Sequence, residues 1–182
     1  MSAMGLVAPI SAVPDAVTTD ESLVSTPSPQ TGGAAGSPTP GTAHGRGRPC
    51  VITRRAGFSA SHLYSLPELD DASNRERFGP CSLAPGHGHN YELIVAMAGP
   101  LDADGMVLNL SEVKHAIRRE VTDQLDFRFL NSTWPEFDLS RPEGRLPTTE
   151  ALALAIRERL LPQLPVVALR LHEQENLWAD VL

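Results

Sequence analysis

The sequence predicts an α+β fold in which helices group on one face of an antiparallel sheet. Three observations carry this. Segments of alternating or β-branched apolar residues, the mark of half-buried strands, begin and end the region from residue 50 onward. Two segments between them repeat apolar residues every four positions, as amphipathic helices do. The order is strand, strand, strand, helix, helix, strand, strand, which segregates the helices instead of alternating them with parallel strands.

Residues 1–49 stand apart. "TPSPQTGGAAGSPTPGTAHGRGRP" is Pro, Gly, Ser, Thr and Ala with almost nothing to bury, so it cannot offset its ordering entropy. A disordered tail is expected over 1–49 and a single domain over 50–182. The domain opens on "CVITRRAGFSASH", a strand. "LPELDDASNRERFGP" reads as a polar loop. In the second strand, "HNYELIVAMAG" with the two histidines at its mouth, His87, His89, Tyr91, Leu93, Val95 and Met97 share parity and therefore one face. "PLDADG" supplies turn residues, and "MVLNL" reads as a returning antiparallel strand.

Ser111 is expected to cap a first helix, with Val113, Ile117, Val121 and Leu125 as its apolar stripe. "STWPEFDLSRPEGRLP" reads as loop, with Trp134 and Phe137 packing inward. The second helix, "TTEALALAIRERLL", has Thr148 as N-cap and Leu152, Ile156 and Leu160 as stripe; Pro162 and Pro165 stop it. "VVALRLHEQENLWADVL" closes the chain as one or two strands, with Trp178 expected to pack.

Composition excludes some classes of function. The 182 residues carry a net charge of −7, which argues against a basic face for nucleic acid. No apolar run reaches the eighteen or so residues of a membrane helix, and Met1–Ile10 lacks the basic start and apolar centre of a signal peptide. Cys50 and Cys81 are the only cysteines, too few for a disulfide scaffold. A reducing cytoplasm is the expected compartment.

Chemistry concentrates in three histidines and a thiol. His62 ends the first strand; His87 and His89 open the second, and histidines two apart on a strand point the same way. If the two strands pair, three imidazoles converge. Three histidines leave one of four tetrahedral positions open, as in a catalytic zinc site, although imidazole also suits iron, nickel and copper. Cys81 lies six positions before His87, in a loop. By spacing alone it is either a fourth ligand, making the site structural, or a thiolate favoured by a nearby dication and usable as a base.

These residues, with "FGPCSLAPGHGHNYEL", "GMVLNLSEVK", "LDFRFLN", "PTTE" and "LHEQENLWADV" in that order, resemble the 6-pyruvoyltetrahydropterin synthase and 6-carboxytetrahydropterin synthase family over about residues 51–181. The resemblance implies the tunnelling fold: a four-stranded antiparallel sheet with two helices on one face, oligomerising into a β-barrel. The usual assembly is a homohexamer of two trimers, with active sites between subunits. It implies 7,8-dihydroneopterin triphosphate as substrate; the acidic charge balance and the lack of a membrane-length apolar run predict no nucleic-acid or membrane partner. One branch eliminates triphosphate to give 6-pyruvoyltetrahydropterin without a redox cofactor; the other also loses acetaldehyde, leaving a 6-carboxy group for queuosine and deazapurine biosynthesis.

By matching motif, the resemblance makes His62, His87 and His89 zinc ligands and Cys81 the proton-abstracting residue, with Asp126 in its relay. Glu173 anchors the pterin, and Thr149 and Glu150 close its pocket. The six-residue gap from Cys81 to His87, "MVLNL" and "TTE" lean to the pyruvoyl branch. One departure stands out. Where the family reads Leu-Asp-His, this chain reads Leu125-Asp126-Phe127, and phenylalanine cannot carry a proton. The expected function is therefore the pyruvoyl-forming lyase. The carboxy-forming branch and a catalytically weakened pterin- or zinc-binding oligomer are the alternatives.

Overall fold

The computed structural model describes residues 49–182; the tail expected over residues 1–49 lies, but for residue 49, outside the described residues. Five strands form one sheet in the order β3-β1-β2-β4-β5. Four are long or central and antiparallel: β1 (Cys50–His62), β2 (His87–Gly99), β4 (Val166–Gln174) and β5 (Leu177–Val181). The fifth, β3 (Arg128–Phe129), is two residues long and runs parallel to the end of β1. The α+β expectation is met, with this short parallel edge added to the four-stranded unit.

The alternation read from the second strand is present in three dimensions. Tyr91, Leu93, Val95 and Met97 are buried, and so are Phe58 and Ala60 on β1 and Leu169 and Leu171 on β4. Two helical segments cover this face. The first runs from α2 (Leu110–Ile117) through a π turn (Arg118–Thr122) into α3 (Asp123–Leu125). Its stripe Val113, Ile117, Val121 and Leu125 is buried throughout. The second is α4 (Thr149–Leu160), where Thr148 accepts from the Ala151 N–H as its cap and Leu152, Ile156 and Leu160 are buried.

Four local expectations are corrected. The polar loop after β1 contains a helix, α1 (Asp71–Phe78), capped by Asp70, whose carboxylate accepts from the Ser73 N–H at 2.8 Å. No apolar stripe announces α1. It is held by buried Asn74, whose amide donates to the carbonyls of Leu66, Leu69 and Asp70 and accepts from the Leu66 N–H. "MVLNL" is not a strand, because β1 and β4 already occupy both edges of β2. Asp102 instead folds the segment by accepting from the Asp104 and Met106 N–H groups. Asn109, not Ser111, caps α2; its side chain accepts from the Ser111 N–H at 2.9 Å. Trp134 and Phe137 are buried as expected, but Trp178 is 45 % exposed.

The opposite face of the sheet is polar. Arg55 pairs with Glu92 across β1 and β2 at 3.0 Å. Arg170 donates to both oxygens of Asp180 at 2.6 and 2.8 Å, and holds that carboxyl below its usual range. A depressed native pKa stabilises the fold above the unfolded value, about 3.9, and the contribution is lost as pH falls through the native value. Asp180→Asn is expected to cost about 1 kcal/mol or less at pH 7. Urea midpoints of the two proteins should converge as the pH is lowered below about 3.9.

Candidate metal centre and active site

The antiparallel register builds the centre. His62 on β1 sits directly opposite His87 on β2, and His89 lies opposite Ala60, two positions along the same face. Gly86 makes the entry to β2 possible. It has φ +100°, and a Cβ there would lie 2.3 Å from the His62 carbonyl oxygen, so only glycine fits this approach.

One nitrogen from each of the three histidines lies within 4.8 Å of the others. His62 Nε2 and His87 Nε2 are 3.1 Å apart. His89 Nε2 is buried and has no hydrogen-bond partner among the described residues. It stands 3.3 Å from Glu173 Oε1, within ion-pair range but outside hydrogen-bond geometry. A buried orphan nitrogen is costly, and a cation placed among the three imidazoles would satisfy it. Burial first, against the opposing charge of Glu173, lowers the pKa of His62 to about 4; burial likewise pushes His89 down. Both are then neutral near pH 7, the form that ligates a metal. The donor set fits a metal with imidazole ligands.

A supporting layer orients the ligands. Tyr91 Oη lies 3.4 Å from His62 Nδ1. Such a contact fixes ring and tautomer so that the other nitrogen is free to face a metal. Sequence reasoning did not assign Tyr91 this role, although its parity with His87 and His89 was a signal for it.

Cys81 lies on a 3-10 turn (Gly79–Ser82), with Sγ 3.9 Å from His87 Nε2. Burial, then the charge of Glu173, pushes its thiol up. Glu173 on β4 is buried and accepts a hydrogen bond from the Thr149 hydroxyl at the start of α4. Thr149 thus has a site contact besides its place in the first helical turn. Glu150 is exposed, and its charge acts on the half-buried Tyr64.

The structure therefore brings together His62, His87, His89, Cys81, Glu173 and Thr149. Within one chain Asp126 is not joined to Cys81 by a hydrogen bond among the described residues; its Oδ1 accepts from the Ser59 N–H at 2.8 Å. Phe127 donates its N–H to the Ser59 carbonyl, has φ +55° and is 85 % exposed. His115 is exposed on α2, and His172 packs against Trp178 with ring centroids 5.4 Å apart.

A mostly antiparallel sheet with helices on one face, carrying three clustered histidines, a thiol and a buried carboxylate at one end, defines the class: an α+β protein with a site able to hold a metal. The profile of the 6-pyruvoyl tetrahydropterin synthase family matches residues 51–182, and the chain belongs to this family. It is an enzyme of a lyase family. It is 38 % identical over 138 residues to the 6-pyruvoyl tetrahydrobiopterin synthase of Pongo abelii, covering 72 % of this chain and 92 % of that one. A solved structure of the Caenorhabditis elegans 6-pyruvoyl tetrahydropterin synthase aligns with a TM-score of 0.67 at 28 % identity, covering 75 % of this chain and 96 % of that chain. At greater distance, a protein of Archaeoglobus fulgidus named putative 6-carboxy-5,6,7,8-tetrahydropterin synthase is 29 % identical over 132 residues, covering 72 % of this chain and 94 % of its own.

Proposed function

We propose that the protein converts 7,8-dihydroneopterin triphosphate to 6-pyruvoyltetrahydropterin by eliminating triphosphate, with zinc held by His62, His87 and His89. The observation that carries this reading is the position of Glu173. It is a buried carboxylate with one protein hydroxyl on it, and it stands 3.3 Å from a metal-facing nitrogen. A buried carboxylate with spare acceptor capacity calls for a ligand with paired N–H donors. The amino-pyrimidinone edge of a pterin offers such a pair, and a pterin anchored there would extend its side chain towards the centre.

Within this reading Thr149 fixes one oxygen of Glu173 and leaves the other lone pairs for the ring. Glu150 lies at the pocket margin. Zinc, when bound, supplies Lewis acidity toward the side-chain hydroxyls, acidifying the adjacent C–H. Cys81 accepts that proton. Phe127 cannot relay a proton, so water takes it from Cys81, and Asp126, of which only Oδ1 is engaged by Ser59, stays the relay carboxylate at the subunit boundary. Triphosphate leaves, hydrogen is redistributed within the substrate, and no external oxidant or reductant is consumed.

The outer edge of β1 is paired only at Ala60 and Ser61, and β5 has no outer neighbour among the described residues. Such edges invite pairing with another copy, which supports a ring-forming homo-oligomer; a hexamer of two trimers is the proposed state. No helix among the described residues is long and apolar enough to cross a membrane. A cytoplasmic location is part of the proposal.

Two other readings rest on particular observations. The archaeal relative's name favours a 6-carboxy product with release of acetaldehyde. Phe127 favours a weakened pterin- or zinc-binding oligomer. Incubating the zinc-loaded protein with dihydroneopterin triphosphate and weighing the products separates all three. The pyruvoyl mass supports the proposal, the carboxy mass supports the second reading, and bound but unconverted pterin supports the third. Phe127→His is expected to leave turnover within about twofold if water suffices. A gain of tenfold or more would instead assign a missing relay to this position, since such help is typically worth ~10²–10⁴-fold.

A further inference from the structure

Two tyrosines enter the centre, and they differ in one respect. Tyr91 is buried and its hydroxyl is used on His62 Nδ1. Tyr64 is half-buried, and no hydrogen bond engages its hydroxyl among the described residues.

Tyr64 is nevertheless held firmly. The residue before it, Leu63, is clamped by Asn131, which accepts from the Leu63 N–H at 2.9 Å and donates to its carbonyl at 2.8 Å. The Tyr64 N–H donates to the Cys81 carbonyl at 2.8 Å. Its ring packs against His62, with centroids 4.7 Å apart, and edge-on to Phe78 at 6.0 Å. The backbone that carries the thiol and the backbone that carries this phenol are thus one hydrogen-bonded unit.

The groups whose charges reach the phenol are Glu173, Cys81 and Glu150. Ionised carboxylates accept hydrogen bonds and donate none. The Thr149 hydroxyl, a donor nearby, is committed to Glu173. A substrate side chain rich in oxygen meets acceptors on both carboxylates, while Cys81 is reserved for the carbon-bound proton. When the proton is taken from a carbon bearing such an oxygen, negative charge builds on that oxygen, and a hydrogen-bond donor would share it with the metal that the histidines would hold.

We infer that the Tyr64 hydroxyl is a catalytic hydrogen-bond donor to a side-chain oxygen of the pterin substrate. This rests on the pterin reading above. No bond is made or broken at Tyr64, and the phenol keeps its proton throughout. Its fixed backbone makes the donor preorganised, the condition under which such a contact acts mainly in the transition state.

Tyr64→Phe keeps the ring and its packing while removing the donor. In the full-length, zinc-loaded protein kcat is expected to fall about 10²-fold, as for loss of one oxyanion donor, with KM within about threefold and zinc content unchanged. A second readout needs no turnover. Metal-free full-length protein is titrated by fluorescence with unsubstituted pterin and with 6-acetylpterin, whose side chain carries a carbonyl. The substitution is expected to weaken 6-acetylpterin roughly 3- to 10-fold, the worth of one neutral hydrogen bond, and to leave pterin unchanged. An unchanged kcat with wild-type affinity for both ligands overturns the role of Tyr64 while leaving the pterin reading intact. Equal weakening of both ligands, or loss of zinc, also overturns it, by showing a structural role. If the wild type binds neither ligand, the pterin reading fails and this inference fails with it.

Discussion

Cys81→Ala is expected to lower turnover by about 10²–10⁴-fold, the range of general acid–base help, while zinc stays bound at wild-type stoichiometry. The geometry separates the two outcomes. Sγ stands 3.9 Å from the Nε2 of His87, whereas the three histidine nitrogens already form a compact set without it. The turn that carries Cys81 is held by its backbone: its carbonyl accepts from Tyr64, and Ser82 Oγ donates to the Gly79 carbonyl at 2.9 Å. Alanine therefore removes the thiol and leaves the turn in place. Zinc content by atomic absorption and rate by triphosphate release measure the two effects. Loss of zinc would make the thiol a ligand and the centre structural.

His87→Ala is expected to remove turnover below detection and to weaken zinc binding by more than the ~10–100-fold that follows loss of an outer-shell partner. His87 is the informative ligand to remove. His62 is wholly buried, so truncating it opens a cavity and confuses metal loss with unfolding. His87 is half-buried at the strand mouth. Metal-free His87→Ala should unfold within a few degrees of metal-free wild type, because its ring contributes little to the core. Competition with a chromophoric chelator gives the affinity, and thermal melts of both metal-free proteins give the stability. A variant that keeps wild-type zinc affinity would contradict the ligand assignment.

The parts of the site that could be read in the sequence are those set by periodicity. His87 and His89 share parity with Tyr91, Leu93, Val95 and Met97, so their common face followed from the pleat. His62 at the end of β1 required only that β1 and β2 pair, and the register puts it opposite His87. The stripes of α2 and α4 followed from their four-residue repeat. What was hidden depends on side chains reaching backbone. Nothing in the pattern of α1 shows that Asn74 will gather three carbonyls. Nor does spacing show that Asp126 will accept from the Ser59 N–H of β1 or that Thr149 will meet Glu173 from 24 residues away. The Glu173 role entered through family resemblance, and the structure adds its burial and its approach to His89. Tyr64 was missed because it has no periodic partner; its place depends on Asn131 and Cys81, both distant in sequence from one another.

The most direct test of the central claim is a zinc titration of the metal-free protein with triphosphate release as readout. The rate should rise linearly, break at one zinc per chain, and yield 6-pyruvoyltetrahydropterin by mass. Full turnover by protein stripped of metal, or a break at a stoichiometry that does not saturate the three-histidine centre, would contradict it.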